Sequence, residues 1–171
     1  MTMVHMFISL RGFLNSSRLR ADIVMRGSRF SDKVRLMLFS LLDSIPRTFI
    51  RRFPLLERYI QIIKENLVNG AMINFEGSRF YCIDVESLFI LSPHFESWMW
   101  KHIYSLDVGS VFIDVGAHIG RYTIPSARRV GESGLVVAIE PHPENYEFLL
   151  RNIKLNGLKN VIALNVAAWD S

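Results

Sequence analysis

Hydrophobic positions recur at helical spacing through the first part of the chain and give way to short β-type runs in its last third. Ser31 can cap a helix beginning at Asp32, along which Val34, Met37, Leu38, Leu41 and Ile45 recur until Pro46 stops the pattern. Pro54 suits the first turn of a second helix, with Leu55, Leu56, Tyr59, Ile60 and Ile63 on its apolar side and Gly70 at its end. Met72 to Phe75 and Arg79 to Ile83 flank Glu76-Gly77-Ser78 as a β-hairpin. Ser92 and Pro93 then open a helix carrying Phe95, Trp98, Met99 and Ile103, with Trp98 and Trp100 expected in core or lid packing. The stretch from residue 11 to 30, rich in Gly, Ser and Arg, reads as loosely ordered.

The last third has a different period. Val111, Phe112, Ile113 and Val115 form a strand-length run, and Leu135 to Ile139 and Val161 to Val166 form two more. Pro125 is tolerated only in a first helical turn, so the helix after the first strand should begin near Thr123 and leave Gly116 to Tyr122 as an open loop. Pro143 begins the next helix, in which Tyr146, Leu149, Leu150 and Ile153 face the core and Asn156-Gly157 closes the pattern. Strands alternating with helices predict an α/β, Rossmann-like fold with a parallel sheet.

The strand–turn–helix at Val111 to Ile124 is a ligand-binding corner. Its glycines let backbone approach a ligand, and its helix start presents unpaired N–H groups. A dinucleotide fingerprint requires G-x-G-x-x-G, but His118 and Arg121 stand where the second and third glycines belong. What remains, an acid at Asp114 followed by G-x-x-x-G at Gly116 and Gly120, suits a ligand with a charged amino-acid end and no diphosphate, such as S-adenosylmethionine. Glu140, at the end of the second strand, is placed to accept ribose hydroxyls.

Three segments in order, F-I-D-V-G-A-H-I-G-R-Y-T, A-I-E-P-H-P-E-N-Y-E-F-L-L-R-N-I-K-L-N-G and V-I-A-L-N-V-A-A-W-D, together resemble the FkbM family of S-adenosylmethionine-dependent methyltransferases. The resemblance runs from about Gly109 to Ser171 and implies a class I methyltransferase sheet of seven strands, of which three are supplied here. It also implies O-methylation of a sugar, glycan or secondary-metabolite hydroxyl. By resemblance and geometry, Gly116 and Gly120 admit the methionine moiety, Asp114 orients it and Glu140 holds the ribose, while Pro141 and the Ala167-Ala168 turn border the adenine. His118 is a cofactor contact or a loop filler, and no catalytic base is assigned.

On this reading residues 1–70 form a basic helical region, 71–108 a hairpin and helix lead-in, and 109–171 the first half of the cofactor-binding domain. The first strand is expected to show an unpaired hydrophobic edge, which allows oligomerisation. At 171 residues, half of them apolar, the chain can bury a real core. Cys82 is the single cysteine, which excludes a disulfide framework and fits a cytoplasmic location. No His and acid spacing fits a metal. Met3 to Leu10 is apolar but too short to span a bilayer and lacks the flanks of a signal peptide.

The net charge of +4 is uneven: residues 1–65 carry twelve Lys/Arg against five Asp/Glu. A solvated helix surface explains it, and peripheral membrane contact is also allowed, whereas no aromatic-interleaved motif supports nucleic acid as a partner. Beside the enzyme reading stand a truncated fragment or interaction module that keeps part of the site, and a nucleotide-dependent oxidoreductase that the glycine spacing disfavours.

Overall fold

The computed structural model describes residues 17–168; the apolar stretch at 3–10 and the start of the expected loose segment, 11–16, lie outside the described residues. From Ser17 the chain is already helical. Helix α1 spans Ser17–Arg26, correcting the expectation of a loose segment there. Tertiary contacts hold it: Ile23 is buried in the main core, and the Arg26 guanidinium donates to the Leu91 carbonyl at 2.6 Å and lies over the Phe75 ring.

Helix α2 spans Phe30–Asp43, two residues ahead of the predicted start. Arg29, not Ser31, is the capping residue, because the buried Asp32 carboxylate accepts from both the Arg29 backbone N–H (3.2 Å) and its guanidinium. A short turn, α3 (Arg47–Ile50), leads to α4 (Pro54–Val68), which begins on its proline as expected. The apolar side expected to pack inward does not. Leu55, Leu56, Tyr59 and Ile63 are exposed, while Lys64 and Val68 are buried. Lys64 is neutralised by Asp43 of α2 at 2.6 Å and lies over the Phe39 ring, so α2 and α4 pack through an ion pair and its aromatic floor.

Strands β1 (Met72–Phe75) and β2 (Ser78–Tyr81) pair antiparallel around a two-residue turn, in which Glu76 and Gly77 both have positive φ, as a hairpin of this length requires. Helix α5 (Val85–Ile90) follows, capped by Asp84 accepting from the Ser87 N–H at 2.8 Å. The single helix expected from Ser92 onward is broken. Glu96 takes a left-handed φ of 42°, and only a 3-10 turn (Ser97–Met99) and α6 (Trp100–Tyr104) form beyond it. Trp100 is buried against Phe75, whereas Trp98 is exposed.

The last third is a three-stranded parallel sheet, β3 (Val111–Val115), β4 (Leu135–Ile139) and β5 (Val161–Leu164), in the order β3-β4-β5, with α7 (Thr123–Val130) and α8 (Pro143–Leu155) between successive strands. Val136 and Ala138 of β4 point into the helix-covered side, against Ala127 and Val130 of α7 and Leu149 of α8. The opposite face is bare: Val111, Ile113 and Val115 of the edge strand and Ile162 and Leu164 of β5 are exposed. In α8 the inward stripe is Phe148, Leu149 and Asn152, and Leu150 is exposed, contrary to expectation. A polar residue enters this core because the hairpin edge takes it. Asn152 Oδ1 accepts from the Tyr81 N–H (2.7 Å), and its Nδ2 donates to the carbonyls of Tyr81 (3.2 Å) and Ile119 (3.0 Å).

Candidate active site

The corner after β3 keeps the open loop the sequence predicts, with α7 starting at Thr123. Its shape needs three left-handed residues, Gly116 (φ 80°), His118 (φ 51°) and Gly120 (φ 96°). A side chain at Gly120 would strike Leu149 Cδ1 at 2.9 Å, so that glycine serves helix packing. At Gly116 a Cβ would meet nothing within 4 Å, which leaves backbone open to a ligand. The N–H groups of Gly116 and Ala117 both reach the Ile139 carbonyl, at 2.8 and 3.0 Å, and so fix the loop to the end of β4.

Asp114 and Glu140 sit at the ends of β3 and β4 but are built into the corner rather than displayed on it. Asp114 is 7% exposed and accepts from the Thr123 hydroxyl at 2.5 Å, tying strand to helix start. Burial pushes its carboxyl above the usual carboxylate range and the nearby Glu140 charge adds to this, with the Thr123 bonds acting against it. Glu140 is 5% exposed. Its two oxygens accept from the backbone N–H groups of His118 (2.7 Å) and His142 (2.9 Å), clamping the two loops at the strand ends together.

Pro141 is exposed beside this clamp, and its carbonyl and that of Glu140 accept from Asn165 Nδ2 at 3.1 and 2.8 Å. Thus Asp114, Gly116, His118, Gly120, Glu140 and Pro141 are brought into one corner. Ala167 and Ala168 are exposed beyond β5. Sequence reasoning missed Thr123, Asn165 and Arg121, whose partners are backbone groups or side chains distant in the chain. Asn165 falls inside the predicted third strand, but β5 ends at Leu164, which leaves Asn165 just past it.

Over the corner lies a cavity of about 400 Å³, within the size range of small-molecule sites. His118, His142, Glu144 and Asn145 line it from the sheet domain, and Glu65, Asp84 and Glu86 line it from the preceding helices. The His118 Nδ1 is buried without a hydrogen-bond partner. An unsatisfied ring nitrogen and an acid-rich wall suit this cavity to a cationic ligand. Among the described residues no group of three His, Cys, Asp or Glu side chains is placed to hold a metal, and no helix is long and apolar enough to cross a membrane.

Residues 73–169 match the model of the TRM5/TYW2 methyltransferase domain. Among curated proteins, the tRNA(Phe) (4-demethylwyosine(37)-C(7)) aminocarboxypropyltransferase of Methanocaldococcus jannaschii is 48% identical over 54 residues, covering 32% of this chain and 21% of that protein. Protein-L-isoaspartate O-methyltransferase 1 of Archaeoglobus fulgidus is 32% identical over 75 residues, 44% of this chain and 34% of that protein. The chain thus spans between about a fifth and a third of the length of these curated relatives. Of solved structures, M. jannaschii TYW2 in complex with AdoMet is 31% identical with a TM-score of 0.46, covering 58% of this chain and 43% of that one. The complex of aTrm5 and tRNALeu is 23% identical with a TM-score of 0.46, covering 56% of this chain and 27% of that one.

These findings correct two expectations. The matching family is not FkbM. The motifs that carried that resemblance run along β3, the corner, α8 and β5, which are parts of a fold that serves many acceptors, so they do not choose between families built on it. The expectation of no clear nucleic-acid partner is also overturned, since the M. jannaschii relative is named for tRNA(Phe). The class stands as expected, a methyltransferase domain built on an α/β fold with a parallel sheet. With its match running from the hairpin through the third strand, the chain belongs to the TRM5/TYW2 methyltransferase domain family.

Proposed function

We propose that the chain forms the cofactor corner of an enzyme that transfers a carbon group from S-adenosylmethionine to a base of tRNA, replacing the sugar, glycan or secondary-metabolite acceptor expected from the sequence. The observation that carries this reading is the family match over residues 73–169, which takes in the hairpin, both loops and all three strands of the parallel sheet. When bound, S-adenosylmethionine supplies an electrophilic carbon on a sulfonium, which departs as a neutral thioether. The residues of this chain then bind, orient and exclude water. Gly116 admits the amino-acid end, with Gly120 closing the loop onto α7. His118 offers its unpartnered ring nitrogen to the ligand. Asp114 and Glu140 set the distance between the two loops, Glu140 keeping lone pairs free for the ribose, and Pro141 borders the base.

Two kinds of transfer are compatible with the family, since one curated relative moves the aminocarboxypropyl group. The test incubates the 171-residue chain with bulk tRNA and S-adenosylmethionine labelled either in the methyl or in the carboxyl carbon. Methyl label alone in tRNA marks methyl transfer, and carboxyl label alone marks aminocarboxypropyl transfer. Neither label, in a chain that binds the cofactor by calorimetry, removes tRNA as the acceptor. No calorimetric uptake removes the cofactor.

A further inference from the structure

Arg121 directly follows the second glycine of the corner and is 3% exposed, yet among the described residues it forms no ion pair. Its guanidinium carbon lies 4.9 Å from the ring centre of Phe75 and 5.2 Å from those of Phe95, Trp100 and Tyr122. Two of its N–H groups donate to the carbonyls of Ser92 (3.1 Å) and Phe95 (2.5 Å). Those carbonyls belong to the stretch where the expected helix breaks, and the Ser92 carbonyl accepts from the Phe95 N–H (3.3 Å) as well as from the arginine. The cage is closed by Tyr122, whose hydroxyl donates to Glu96 at 2.8 Å, and by Tyr104, which stacks on Trp100 and donates to Glu76. Both acids occupy left-handed backbone positions, so the surroundings hold this arrangement against local preference.

Burial works against the Arg121 charge, and the Glu96 and Glu76 carboxylates favour it only from a distance, so hydrophobic packing could fill the same space at less cost. What the planar fork does supply is a fixed direction. The loop it ends has three left-handed residues and is anchored elsewhere by the Glu140 carboxylate at His118 and by the bonds of Gly116 and Ala117 to Ile139. Its far end is held by Arg121.

We propose that Arg121 is a positioning residue: caged by the hairpin and the aromatic segment ahead of the sheet, it holds the Gly116–Tyr122 loop in the shape that admits S-adenosylmethionine. Cofactor affinity thereby depends on residues 72–104, although most of them touch no ligand. The claim rests on the cofactor reading above. Its test compares the 171-residue chain with Arg121→Lys, Arg121→Met and the exposed control Arg151→Met, measuring S-adenosylmethionine binding by calorimetry and backbone amide exchange. Lysine keeps the charge but replaces the two fixed donor nitrogens of the fork with a single rotatable ammonium centre.

The expected result is an affinity loss of roughly tenfold for Arg121→Lys, equivalent to about 1.4 kcal/mol, with faster exchange confined to residues 116–122 and no change in the control. Arg121→Met should lose more; if it does not fold, the lysine variant decides. A folded Arg121→Lys with unchanged affinity and exchange overturns the proposal. If the unaltered chain takes up no cofactor, the cofactor reading fails by itself. Exchange then decides the loop claim: faster exchange in Arg121→Lys supports it and unchanged exchange overturns it.

Discussion

The parallel sheet with its corner and the helical front, α1 to α4, were both read from apolar patterning, of different period, with opposite results. In the corner, the strand runs, the open loop and the start of α7 fall where the pattern puts them, because each is fixed by neighbours in sequence. In the front, helix α4 turns the predicted inner side outward and buries a lysine instead. A helical period identifies a stripe, but only the rest of the molecule determines what covers it. A glycine turn between a strand and a helix carries its geometry with it.

The contrast can be broken most severely at the hairpin between the two regions. Phe80 is fully buried in the main core with Phe75, and Phe80→Ala should cost about 3–5 kcal/mol, read from the urea midpoint. A smaller loss is expected for Asn152→Ala, which leaves backbone groups of Tyr81 and Ile119 without partners. About 1–3 kcal/mol is the usual cost of such groups, and the loss should come with faster amide exchange at Tyr81. The smallest effect belongs to the front. Leu55 is 73% exposed, so Leu55→Ser should change stability by no more than about 0.5 kcal/mol. A loss well above that would mean the α4 stripe is covered in solution and would erase the contrast.

Legibility followed the range of the forces involved. The hairpin, the three strands and the glycine corner were readable, since turn chemistry and strand length are local properties, although Ser78 opens β2 instead of closing the turn and the third strand ends at Leu164, not Val166. Glu140 does follow the end of β4 as the sequence places it, but its bonds to the His118 and His142 amides were not readable, because they depend on how two loops meet. The helix expected after Ser92 is broken where Glu96 takes a left-handed φ, and Arg121, 29 residues beyond Ser92, donates to that residue's carbonyl, a partner no local pattern announces. Helix α1 was missed because its stability comes from Ile23 and Arg26 reaching other elements. The family was misread for a related reason: residues that serve a shared cofactor say little about what receives the transferred group.

Asn152 has a second consequence through its neighbour one turn later. Asn156 treats Arg79 as Asn152 treats Tyr81, accepting from the N–H at 3.1 Å and donating to the carbonyl at 2.7 Å. Four residues of helix advance about 6 Å, and two residues of strand advance about 6.6 Å. The two rulers nearly agree, so a pair of side-chain amides can stand in for a neighbouring strand along the free edge of β2. Shifting the hairpin by one residue would put both amides out of step together, and α8 therefore acts as a gauge for the hairpin's register as well as a wall of the core.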